Sequence, residues 1–219
     1  MKYRNRIARI AATLGTAALL AGCSTEGELV VDQGVGVNAV RSRCPAVGIP
    51  DYTGDITTFR DPQAMTAASL DVTAAMTNLR VTCDDSGARI YSEVAFDVYA
   101  RRSDTAQARQ VTLPYFVTVV RGGTAVLTKR VGEVTIDFAA GQDRAQASAR
   151  AGAFVDGAAA TLPEDVRDRI TRRRKAGDED AALDPLADPE VKAAVARATF
   201  EMLVGFQLTP QQLAYNATR

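Results

Sequence analysis

Three cysteines, Cys23, Cys44 and Cys83, are the strongest nucleophiles of this 219-residue chain. Redox chemistry favours two thiols in a Cys-x-x-Cys arrangement, and no pair here has that spacing. Histidine is absent. That removes Ser-His-Asp and Cys-His catalysis, histidine metal sites and imidazole pH sensing. Hydrolysis by carboxylates alone needs two acids at a set separation across a cleft. Asp51, Asp55, Asp84, Asp85 and Glu93 supply such side chains, but their order along the chain selects no pair. Asp178-Glu179-Asp180 is acidic enough to touch calcium, yet lacks the spaced ligands and turn glycine of a dedicated loop. Gly34-x-Gly36 lacks the third glycine of a dinucleotide fingerprint, and no P-loop is present. No metal centre, no cofactor and no catalytic residue is expected.

What remains is the chemistry of recognition. Tyr91 and Tyr99 fall on the polar face of one predicted strand, where they could form a contact strip for a protein or glycan partner. The alternative is that they pack beneath helices covering the sheet. Arg172-Arg173-Arg174-Lys175 offers charge for an anionic partner, or simply complements a helix C-terminus and a nearby acidic loop. Lys+Arg and Asp+Glu balance at 26 each, so no basic field recommends nucleic acid. Asn216-Ala217-Thr218 matches a glycosylation sequon.

The front of the chain is more specific. Lys2, Arg4, Arg6 and Arg9 form a basic start without an acid, and an uncharged stretch runs from Ile10 to Gly22. As a helix that stretch spans about 20 Å, short of the roughly 30 Å of a hydrocarbon core, and reads as a secretory signal. It ends in Leu20-Ala21-Gly22-Cys23, which resembles the lipobox of bacterial lipoproteins. The resemblance implies diacylglyceryl transfer to the Cys23 sulfur, cleavage before Cys23 and acylation of the new amino group. Each buried acyl CH₂ contributes about 0.8 kcal/mol, so two or three chains make a lasting membrane anchor. Ser24, being other than Asp, implies export to the outer membrane, periplasmic face; retention in the inner membrane is the alternative address. Cleavage would remove four basic groups and no acids from the balanced 26 and 26, leaving a net charge of −4. That suits solubility and points to no particular ligand.

An oxidising compartment favours a bond between Cys44 and Cys83, with inert thiols as the alternative. A bridge between positions 39 apart would contribute about 4 kcal/mol in the chain-entropy account.

The elements that would position these residues follow from periodicity. Residues 23–65 read as a lipid-anchored tether and irregular chain, punctuated by Gly34, Gly36, Pro45, Gly48, Pro50, Gly54 and Pro62. Residues 66–155 alternate with period two. Leu70, Val72, Ala74 and Met76 share a face, and a slip after Asn78 predicts a β-bulge or a strand break. Ile90, Val94, Phe96 and Val98 oppose Arg89, Tyr91, Glu93, Asp97 and Tyr99. Val111 to Val119 alternates up to Gly122-Gly123, a hairpin signal, though Pro114 suggests an edge strand or bulge. Ala125, Leu127 and Val131 continue that ladder, and Val134, Ile136 and Phe138 make a further strand. Arg144 to Val155 reads as an edge strand with a thin alanine core. The fold class expected is mainly β with C-terminal helices, an antiparallel β-sandwich of immunoglobulin or fibronectin type; a small barrel is the competing closure. Residues 156–219 read as a helical extension. One helix runs from a Thr161–Glu164 capping box to about Lys175, and a second is capped by Asp188, with Val191, Ala194, Val195, Ala198 and Met202 as its buried stripe.

The exported body resembles the small envelope lipoproteins as a group, with no motif selecting one family. The function expected is a non-catalytic binding or scaffold module, held to the membrane by its lipid and meeting a protein or glycan of the envelope. A carrier or chaperone for a hydrophobic ligand, using apolar surface around Phe200 to Phe206, is the alternative. A carboxylate-based hydrolase comes third.

Overall fold

The computed structural model describes residues 41–218. The predicted leader, Cys23 and the tether as far as residue 40 lie outside the described residues. Residues 173–182 fall outside the main body, which comprises residues 41–172 and 183–218.

The body contains strands β1 (Ala46–Gly48), β2 (Asp55–Phe59), β3 (Leu70–Asp84), β4 (Arg89–Arg102), β5 (Arg109–Arg121), β6 (Ala125–Phe138), β7 (Arg144–Asp156) and β8 (Phe200–Phe206). One sheet is ordered β2-β3-β4-β7 and the other β1-β8-β5-β6. Neighbours are antiparallel except β1 and β8, which run parallel. Helices α1 (Glu164–Thr171), α2 (Pro189–Ala198) and α3 (Pro210–Thr218) complete the body. The chain is thus mainly β with helices towards its C-terminus, as its alternation implies.

Alternation decides which side chains meet. Along β4, Ile90, Ser92, Val94, Phe96, Val98 and Ala100 are buried while their odd-numbered neighbours face outward. Val111, Leu113, Tyr115 and Val117 of β5, Ile136 of β6 and Met202, Val204 and Phe206 of β8 join Val94, Phe96 and Val98 in one core. Phe96 is fully buried, and its ring meets Tyr115 edge-on at 5.1 Å. Tyr115 lies across Gly132 of β6 and donates its hydroxyl to the Arg150 carbonyl at 3.0 Å. A Cβ at Gly132 would stand 2.6 Å from Tyr115 Cζ. Valine ordinarily suits a strand better than glycine, but here Gly132→Val is expected to lower stability by about 1–3 kcal/mol through overpacking. Urea unfolding reads this directly, and a raised midpoint would show that the tyrosine has room to move.

The slip after Asn78 is a bulge: pairing with β4 shifts between Thr77 and Arg80, and Asn78 has φ 55°. Gly122 and Gly123, both at positive φ, turn β5 into β6. β7 is an edge strand with Ala145, Ala147 and Ala149 packed inward.

Several expectations are corrected. Of the 23–65 segment, the described residues from 41 onward hold two short strands, β1 and β2, with Pro50 and Gly54 in the turn between them. The second C-terminal helix stops at Ala198, and Phe200 to Phe206 is a strand buried between β1 and β5. Asp188 does cap α2, accepting from Glu190 N at 2.8 Å, and Val191, Ala194 and Val195 pack with Val166 and Ile170 of α1. α1 is shorter than expected. Its N-cap is Pro163 without a side-chain bond, because the Thr161 hydroxyl donates to Gly157 O instead. Pro114 lies in a central strand, not an edge. Its carbonyl accepts from Gln207 N just past the end of β8, so its nitrogen faces the side where pairing stops and no ladder bond inside β8 is lost. Strands β2, β3 and β4, consecutive along the chain, are neighbours in one sheet.

The free edge of β2 is covered. Asn216 of α3 donates to the carbonyls of Tyr52 and Asp55 at 2.8 Å each, and Gln212 donates to that of Thr57 at 3.3 Å. Phe59 meets Tyr215 edge-on at 5.4 Å. Side-chain amides thereby occupy carbonyls that would otherwise template another chain. The asparagine of the sequon is committed to this role and is 7% exposed.

Candidate groove on the outer sheet face

The outward residues of the β2-β3-β4-β7 sheet form rungs across its four strands. One rung is Asp55, Ala75, Tyr99 and Gln146; the next is Thr57, Thr73, Arg101 and Arg144. β3 contributes only Ala75 and Thr73, so the rungs are low in the middle and high towards β4 and β7. The result is a groove of about 520 Å³ crossing the strands. Tyr99 stands in its wall with 51% of its surface exposed.

Polar groups in this groove lack partners. Thr57 is 2% exposed, and its Oγ1 has no hydrogen-bond partner. Burying a hydroxyl unpaired is costly, so such an atom marks a place where something polar belongs. Among the described residues, the side chains of Thr73, Tyr99, Arg144 and Gln146 form no hydrogen bond or ion pair either. Arg101 differs, since it pairs with Asp143 at 3.1 Å.

The rest of the same face is saturated. Asp97 accepts from Arg80 at 2.9 Å, from Asn78 at 2.6 Å and from Ser148 at 2.8 Å. These bonds, that from Arg80 foremost, hold its carboxyl far below the usual carboxylate range. Beyond it Tyr91 lies against Gly152, its ring 4.9 Å from Phe154, while Arg89 covers Phe154 at 4.3 Å. The Tyr91 hydroxyl donates to Glu93 at 3.2 Å, which pushes the phenol pKa up.

The two tyrosines expected to share a contact strip are therefore separated by the Asp97 network. Neither is roofed by a helix: α1 and α2 close on each other in a small core of their own, and α3 sits at the edge of β2. Tyr91 is 37% exposed and engaged; Tyr99 alone opens onto the groove. Of the five carboxylates considered for hydrolysis, Asp55 alone lines it. Asp84 holds the turn at Ser86, accepting from its hydroxyl at 2.7 Å and its amide at 3.0 Å. Within residues 173–182, Arg174 pairs with Asp180 at 3.2 Å and Asp178 accepts from Lys175 N at 2.9 Å. Arg174 of the basic cluster thus meets the acidic loop. Among the described residues no group of three or more Cys, Asp or Glu could hold a metal ion. The apolar run from Phe200 to Phe206, the hint of a hydrophobic cavity, is instead filled core.

Cys44 and Cys83 are bonded, with Cα atoms 6.2 Å apart. Cys23 lies outside the described residues. No helix among those described is long and apolar enough to cross a membrane. Comparisons with protein-family models, with curated proteins and with solved structures find no match.

Reading the sequence alone missed Thr57, Thr73, Arg144 and Gln146. The last two were visible as the polar side of an edge strand. Thr57 was not, because β2 lay in text too broken to read as a strand.

Proposed function

We propose that this chain is a lipid-anchored module of the bacterial envelope, held to the outer membrane through Cys23, that binds a partner in the Tyr99 groove and catalyses no reaction. The lipobox resemblance supports the anchor. The observation that carries the binding role is the set of unpartnered polar groups in a ligand-sized groove, beside a sheet face whose other charges are matched. On this reading the sandwich is immunoglobulin-like in architecture, two sheets over one core, and serves as a rigid frame presenting one face. Labelling with radioactive palmitate, followed by envelope fractionation, tests the anchor. The label is expected to vanish in Cys23→Ala and the protein to leave the membrane fraction. Label that persists in the variant, or wild-type protein found unlipidated in the medium, overturns the proposal.

A further inference from the structure

We infer that the groove takes a glycan carrying a carboxylate, an assignment that rests on the binding-module reading above. A sugar ring presents an apolar C–H face and a rim of hydroxyls that both donate and accept. It is matched by an aromatic platform set among short polar side chains. Tyr99 supplies the exposed ring, and Asp55, Thr73 and Gln146 stand around it with acceptors and donors of both kinds. The buried Oγ1 of Thr57 is an unused hydroxyl on the same rung as Thr73. The volume of about 520 Å³ falls within the roughly 300–1,000 Å³ typical of small-ligand sites.

The charge selects within that class. Arg144 lies at the β7 end of its rung and forms no ion pair among the described residues, whereas Arg101 beside it is matched by Asp143. A guanidinium binds a carboxylate through two parallel hydrogen bonds. Other occupants fit less well. An extended peptide would lie along an unpaired strand edge, whereas this groove runs across strands already paired to one another. A nucleic acid would want a continuous basic track, which Asp55 interrupts.

Isothermal titration of the full chain in detergent tests the assignment with two probes. One is the disaccharide N-acetylglucosamine–N-acetylmuramic acid, whose lactyl group is a carboxylate; the other is neutral chitobiose. The carboxylated sugar is expected to bind about tenfold more tightly, the effect of one charge-assisted pair. Tyr99→Ala should weaken both sugars by about tenfold through lost stacking. Arg144→Gln should abolish the preference, since the ion pair that selects the carboxylate is removed. Tyr91→Ala, on the same face beyond Asp97, should change neither. Equal affinity for the two sugars, an inert Tyr99→Ala, or an equal loss in Tyr91→Ala overturns the assignment. If neither sugar binds, yet Tyr99→Ala abolishes crosslinks between the anchored protein and other envelope components, the ligand class is wrong and the binding role stands. Sugars bound by a protein that carries no lipid would leave the groove assigned and remove the anchor.

Discussion

Replacing Arg102 with leucine should lower the free energy of unfolding by about 3–5 kcal/mol, the range for stripping the partner from buried polar groups. Arg102 ends β4 and is 3% exposed. Its guanidinium donates to Gln107 O at 2.7 Å, Ala139 O at 2.8 Å and Gln142 O at 2.9 Å, and lies 5.1 Å from the centre of the Phe138 ring. Three carbonyls from two loops converge on one rigid fork. Leucine fills part of the volume but leaves those acceptors without a donor, and each costs about 1–3 kcal/mol where water does not replace it. Arg102→Lys should fall between wild type and leucine, because one ammonium cannot serve three divergent carbonyls as the fork does. Urea unfolding of the three proteins gives the ranking. A leucine variant within about 1 kcal/mol of wild type, the size of a single ordinary hydrogen bond, would show that the loops relax to hydrate those oxygens.

Breaking the Cys44–Cys83 bond by Cys44→Ser should cost about 4 kcal/mol in the chain-entropy account. The bridge joins the end of β3 in one sheet to the segment leading into β1 of the other. β2 pairs only with Leu70–Ala75, so the stretch of β3 beyond the bulge is flanked by β4 alone and is largely exposed. The expected result is therefore uneven. Thermal stability falls, and amide exchange in residues 79–83 speeds up more than in the middle of β4. The oxidised wild type should weigh two hydrogens less than its reduced form. Alkylatable thiols at these positions in oxidised protein, or an unchanged melting temperature in Cys44→Ser, would contradict the expectation.

How far the sequence discloses this molecule depends on element length and on which face is buried. β4 is legible because fourteen residues alternate without interruption, and the bulge in β3 is legible because it shifts the alternation of that strand by one. β7 is legible although alanine favours helix, since arginine, glutamine and serine alternate with it throughout. β8 fails for the opposite reason. It is a central strand with little outward polarity, and Phe-Glu-Met-Leu-Val-Gly-Phe carries no period to separate strand from helix. β1 and β2, with three and five residues, are too short for any period to register. The groove was only half visible for the same reason: Tyr99 announces itself on β4, but Thr57 and Asp55 reach it through a strand that local pattern cannot detect, and Thr73 and Ala75 through a register set by long-range pairing.

The place of β8 sets the order of assembly. β1 joins its sheet only through β8, which lies between β1 and β5. An early segment of the body must therefore wait for residues made some 150 positions later, and until they arrive β5 presents a long bare margin to any other chain. Contacts so distant in sequence close slowly. For a polypeptide that crosses a bilayer as an open thread, as proposed here, that delay is useful: premature closure on the near side is withheld until nearly the whole chain has passed.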